Sequence, residues 1–110
     1  MTYNEFIFNE NEIKDLVFDM GYSICSNKIS KDGLKVGFMY REEPLEDEDS
    51  GWRFLSGTET QEYADDPDNS KIFGVNTIAN HDPAIIPYLK HKEGTELERV
   101  EGKAEFRELV

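Results

Sequence analysis

The chain is short of cations. Lys and Arg total 12 against 24 Asp and Glu, leaving a formal charge of −12 over 110 residues. A polypeptide this negative is repelled by phosphate backbones and anionic lipid, which argues against nucleic acid and membranes and in favour of a basic protein partner. Cysteine is nearly absent as well. Cys25 alone cannot form an internal disulfide, and a reducing, cytoplasmic compartment is expected. Long apolar runs are also missing. No window approaches ~18 consecutive apolar residues, and the opening Met-Thr-Tyr-Asn-Glu-Phe-Ile-Phe-Asn has no basic stretch leading into an apolar one, so neither export nor membrane insertion is expected. There is no internal repeat and no Gly-, Ser- or Pro-rich linker, and 1–110 reads as one domain.

Aromatic residues are what the chain does have. Seven Phe, five Tyr and one Trp exceed the aromatic content of a disordered polyanion, so the chain is expected to fold. Ile13, Leu16, Val17 and Met20 fall at helical spacing, which predicts an amphipathic helix over 9–20 that Asn9 or Asn11 caps and Gly21 terminates. Tyr22 to Ile29 and Leu34 to Arg41 read as strands on either side of Asp32-Gly33, a hairpin signal. In the second run Leu34, Val36, Phe38 and Tyr40 form the core-facing set, and Gly37 marks a bulge or a close backbone approach. Trp52 to Ser56 gives a third strand. A short helix capped by Thr58 follows, and Ile72 to Ile78 reads as another strand. Asp82-Pro83 starts a short helix that Pro87 kinks, and 96–100 with 104–109 form a final hairpin.

The densest acidity lies beside the only Trp. Six of the eight residues from Glu42 to Asp49 are carboxylates, followed by Ser50-Gly51 and then Trp52, Arg53 and Phe54. Glu42, Glu43, Glu46, Asp47, Glu48, Asp49 and Trp52 are therefore the candidate partner-binding residues: charge steers a basic partner, and the aromatic anchors it. Trp52 is either a core residue or an interface residue on this reading. An alternative is a ligand pocket lined by Arg41, Trp52, Arg53 and Glu59, with the two arginines pairing with Glu42 or Glu59 or holding an anion.

Other chemistry fits poorly. If Asp47 opened a calcium loop, Trp52 and Thr58 would occupy the places where Gly and a bidentate Glu are needed. Cys25, His81 and His91 lack zinc-ligand spacing. Ser50 and Ser56 lie outside any nucleophile elbow, and Cys25 with a distant His is the remaining route to a hydrolase. No metal, cofactor or catalytic residue is expected.

Tyr40-Arg41-Glu42, Asp49 to Arg53, Ser56-Gly57, Glu59, Tyr63, Asp66 to Asp68, Asn76 to Ile78, Asp82-Pro83 and Ile86 to Leu89 together resemble the bacterial immunity protein 33 family of polymorphic-toxin immunity proteins. The resemblance spans about 24–99. It implies a cytosolic, non-catalytic protein that binds and neutralises a cognate toxin. It carries over no catalytic residues, so the contact candidates come from the charge pattern. The expected architecture is α+β: a mainly antiparallel sheet of about five strands with an N-terminal amphipathic helix and a short Pro-kinked helix.

Overall fold

A computed structural model describes residues 6–109. Residues 1–5, part of the stretch read for an export signal, lie outside it. The strands are β1 (Tyr22–Ser26), β2 (Phe38–Arg41), β3 (Asp49–Leu55), β4 (Ser70–Gly74), β5 (Glu96–Arg99) and β6 (Phe106–Glu108). The helices are α1 (Asn27–Ser30), α2 (Gln61–Asp65) and α3 (Val75–His81), with 3-10 turns at Glu10–Glu12, Pro67–Asn69 and Pro83–Tyr88. The six strands form one mixed sheet in the order β4-β1-β3-β2-β5-β6. The α+β class stands, with two corrections to the sheet: it has six strands rather than about five, and β1 runs parallel to β3.

The amphipathic helix expected over 9–20 is absent beyond the turn at Glu10–Glu12. Side chains from α3 have captured its backbone. Lys14 N–H donates to Asn80 Oδ1, and the N–H groups of Leu16 and Val17 both donate to Asn76 Oδ1. The side-chain amides of Asn76 and Asn80 donate back to the Lys14 carbonyl. A helix would need those same groups for its own i→i−4 bonds, so the long-range amides replace it. Val17 and Met20 still pack against the core.

The Asp32-Gly33 hairpin also fails, because the dipeptide ends a helix. Ser26 caps α1 by accepting from Lys28 N–H, and Gly33 N–H closes onto the Ile29 carbonyl at 3.1 Å. The chain then crosses over, and β2 pairs with β3 rather than with β1. Further on, only the first half of the predicted strand at 72–78 is extended. Val75, Ile78 and Ala79 are buried at i, i+3 and i+4 and belong to α3. The cap of α2 is Thr60, not Thr58. Asp82-Pro83 does start a helical segment, with Asp82 accepting from Ala84 N–H, but as a 3-10 turn containing Pro87. The terminal hairpin forms as β5 and β6.

Directly opposed residues share a sheet face. The row Cys25, Phe54, Met39, Leu97 is buried under Val75, Ile78, Ala79, Ile85 and Leu89 from α3 and the turn at Pro83–Tyr88. Trp52 lies on this side too, stacked on Phe54 with ring centroids 6.1 Å apart and its indole N–H donating to the Leu89 carbonyl. The core-facing set predicted for the second run is corrected in part: Val36 is buried in the core as expected, but Leu34 is exposed, Met39 is buried instead, and Phe38 and Tyr40 are half-buried on the opposite face. Gly37 is a point of close approach. A Cβ there would lie 1.9 Å from the Ser56 carbonyl oxygen.

Candidate functional site

The acidic segment connects β2 to β3, and a buried ion pair fixes its base. Asp49 begins β3 and Arg53 follows four residues later, both almost fully buried. Arg53 grips Asp49 with two parallel bonds of 2.9 and 2.7 Å, and its Nε donates to Glu42 at 2.6 Å. Asp49 accepts in addition from the N–H groups of Leu45 and Gly51. One guanidinium therefore ties together both ends of the loop. Gly51, at φ +86°, makes this possible: β3 slips register against β1 beside it, and a side chain there would strike the Glu42 carbonyl.

The electrostatics follow from this geometry. The Arg53 hydrogen bond is the main cause that lowers Asp49 to about 2, outweighing its burial. Burial alone would lower Arg53, but the Asp49 and Glu42 carboxylates overcome it and hold the guanidinium more firmly protonated than usual. Beyond this anchor the loop is exposed. Glu42, Glu43, Glu46, Asp47 and Glu48 face solvent around Leu45, which is 72% exposed. Glu46 accepts from the Tyr22 hydroxyl at 2.9 Å, and Tyr22 N–H bonds the Glu48 carbonyl, so the loop is also laced to β1.

The seven candidate contacts therefore separate. Five carboxylates lie on the surface, whereas Asp49 and Trp52 lie beneath it, Trp52 with 0% exposure. The four residues of the alternative pocket are not brought together. Arg41 turns to the helix-covered side, where its guanidinium lies 5.7 Å from the Trp52 ring and donates to the carbonyls of Ser50, Leu89 and His91. Arg53 and Glu59 reach the opposite face of the sheet. Glu59 accepts from the N–H groups of Ser56 and Gly57. Although burial would raise its pKa, bonds from Ser26 and Ser56 keep it below the usual range.

On that opposite face Arg53 and Glu59 line a cavity of about 180 Å3 with Ile24, Tyr40, Glu42, Leu55 and Tyr63. A shallow trough of about 1030 Å3 continues from Phe38 and Leu55 toward Glu98 and Arg107. Tyr40 and Tyr63 were missed as site residues. The signal for Tyr40 is its register opposite Arg53, which a strand assigned to the wrong partner conceals.

The remaining chemistry stays apart. Cys25 is buried, and burial pushes its thiol up to about 12, far from a reactive thiolate. His81 bonds the Leu34 carbonyl, and His91 stacks on Tyr88. Among the described residues, no three His, Cys, Asp or Glu side chains are grouped to hold a metal ion, and no helix is long and apolar enough to cross a membrane. No curated protein and no solved structure matches the chain. A family model does: the one described as the immunity protein Imm33 domain matches residues 23–110, which include the acidic loop, its Asp49–Arg53 anchor and the cavity, and the chain belongs to that family.

Proposed function

We propose that this chain is an immunity protein that neutralises a cognate bacterial toxin in the cytoplasm by direct contact, without catalysis. The observation that carries this reading is the anchored acidic loop: five exposed carboxylates around exposed Leu45, held at the base by one buried ion pair. Exposed carboxylates raise the encounter rate with a basic toxin, and a loop fixed beforehand loses little entropy on docking. Glu42, Glu43, Glu46, Asp47 and Glu48 make the contact and cover the toxin's active site. Asp49 and Trp52 act from below as supports.

The test is capture and rescue. The product of the adjacent upstream gene should co-purify with this chain, and co-expression of the two should restore growth that the neighbour alone suppresses. Absence of both would remove the immunity reading.

A further inference from the structure

α3 and the turn at Pro83–Tyr88 cover one face of the sheet, whereas the other carries only α2 and the turn at Pro67–Asn69 toward one side and is otherwise bare. Neither α2 nor the turn at Pro67–Asn69, which flank the bare face, has a buried residue. The row Ile72, Ile24, Arg53, Tyr40, Glu96 crosses it, with Ile72 61% exposed at the β4 edge. A half-apolar floor with carboxylates along it is an unfinished surface, and its charges restrict what can finish it.

We propose that this face is a second part of the toxin interface, receiving a basic segment of the partner with one lysine or arginine side chain seated between Tyr40, Tyr63 and Glu42, where the Glu59 carboxylate adds its charge but, its oxygens being taken, no direct bond. It rests on the immunity reading only in that the segment belongs to the toxin. Size selects a side chain: the cavity of about 180 Å3 falls below the ~300–1,000 Å3 of ordinary small-molecule sites. Charge selects a cation. Arg53, the only arginine lining the cavity, spends Nε on Glu42, one Nη2 hydrogen on Asp49, and Nη1 on Asp49 and the Trp52 carbonyl, so four of its five N–H donors are taken and its charge is already matched by two carboxylates, which leaves little to hold an anion.

Glu42, by contrast, spends one oxygen on Arg53 and remains half exposed, and Glu96 stands opposite Tyr40 on the neighbouring strand. The Tyr63 ring already takes one ammonium, that of Lys28 at 4.9 Å from its centroid, so a cation on these rings has a precedent within the molecule. A second copy of this chain is a poor occupant. Self-pairing would set Glu42, Glu59, Glu96 and Glu98 against their own duplicates.

The experiment separates the cavity from the toxin. The full chain is titrated with Nα-acetyl-lysine methylamide, followed by amide NMR, with the norleucine and glutamate analogues as controls. Saturable shifts at Tyr40, Tyr63 and Ala64 are expected for the lysine probe, at least fivefold tighter than for norleucine. Ala64 is exposed at the cavity rim, so Ala64→Trp plugs the mouth without disturbing the core and should abolish them. Equal response to all three probes, or preference for glutamate, overturns the proposal. With the captured toxin, Ala64→Trp and Tyr63→Ser should each weaken affinity at least tenfold while their melting curves match the parent. If the parent binds toxin and both variants bind equally well, the cavity proposal falls and immunity stands. If the parent captures nothing, immunity falls, and the lysine titration still decides the cavity.

Discussion

The two faces of this sheet are built from alternate residues of the same strands and serve opposite ends. Phe54 and Arg53 are neighbours on β3. Phe54 points into the layer under α3 and packs on Trp52, Met39 and Cys25, so its worth is in excluded water and dispersion. Arg53 points the other way and is just as inaccessible, at 3% exposure, but carboxylates bury it rather than hydrocarbon. The bare face thus has a polar core of its own, small and centred on one guanidinium. One face holds the fold together, and the other holds a loop in place.

The largest effect should come from breaking the covered face. Phe54→Ala is expected to cost about 3–5 kcal/mol in urea denaturation, whereas its bare-face neighbour Leu55→Ala should cost about 1 kcal/mol; equal losses would erase the distinction between the faces. Next, Arg53→Met should cost about 3 kcal/mol, because it strands the buried Asp49 carboxylate; a near-neutral result would mean that Asp49 reaches water in the variant.

Acid should sharpen the comparison further. Asp49 binds its proton less readily in the fold, near 2, than in the unfolded chain, near its ordinary 3.8. Its stabilisation is therefore nearly complete above about pH 4 and fades as pH falls toward 2, for a loss on the order of 2 kcal/mol that Asp49→Asn should remove from the pH profile. The smallest change in stability belongs to the loop. Replacing Glu43, Asp47 and Glu48 by Ser should move stability by less than about 0.5 kcal/mol, yet slow toxin association about tenfold and flatten its salt dependence. Stopped-flow rates that ignore these substitutions would take the loop out of the interface.

Local signals in this sequence were legible; competitive ones were not. Asp82-Pro83 and the β5–β6 hairpin form from neighbours in the chain, and both are where the pattern puts them. Helical spacing over 9–20 is real, but Asn76 and Asn80, some sixty residues away, offer its backbone a better set of partners. Asp32-Gly33 suits a helix end as well as a hairpin, and Ser26 four residues before Ser30 decides between them. At the site, the run of carboxylates announces the loop. That Asp49 alone of the six lies underneath follows from its i+4 relation to Arg53 across the bend at Gly51, which no charge count reveals. Trp52 resolves as a core residue by the same strand geometry.

The parallel pairing of β1 with β3 has a consequence for the order of assembly. A parallel partner cannot form through a tight turn, so β1 must wait until β3 exists as a template, and β4 must wait for β1. The units able to form early are β2–β3 and β5–β6, each closed by a short connection. The first of these gathers the six acids into one bend before the guanidinium has been enclosed, so mutual repulsion opposes the step. Moderate salt should therefore speed refolding while leaving the unfolding rate nearly unchanged, and the surface proposed for recognition would set the pace at which the molecule comes into being.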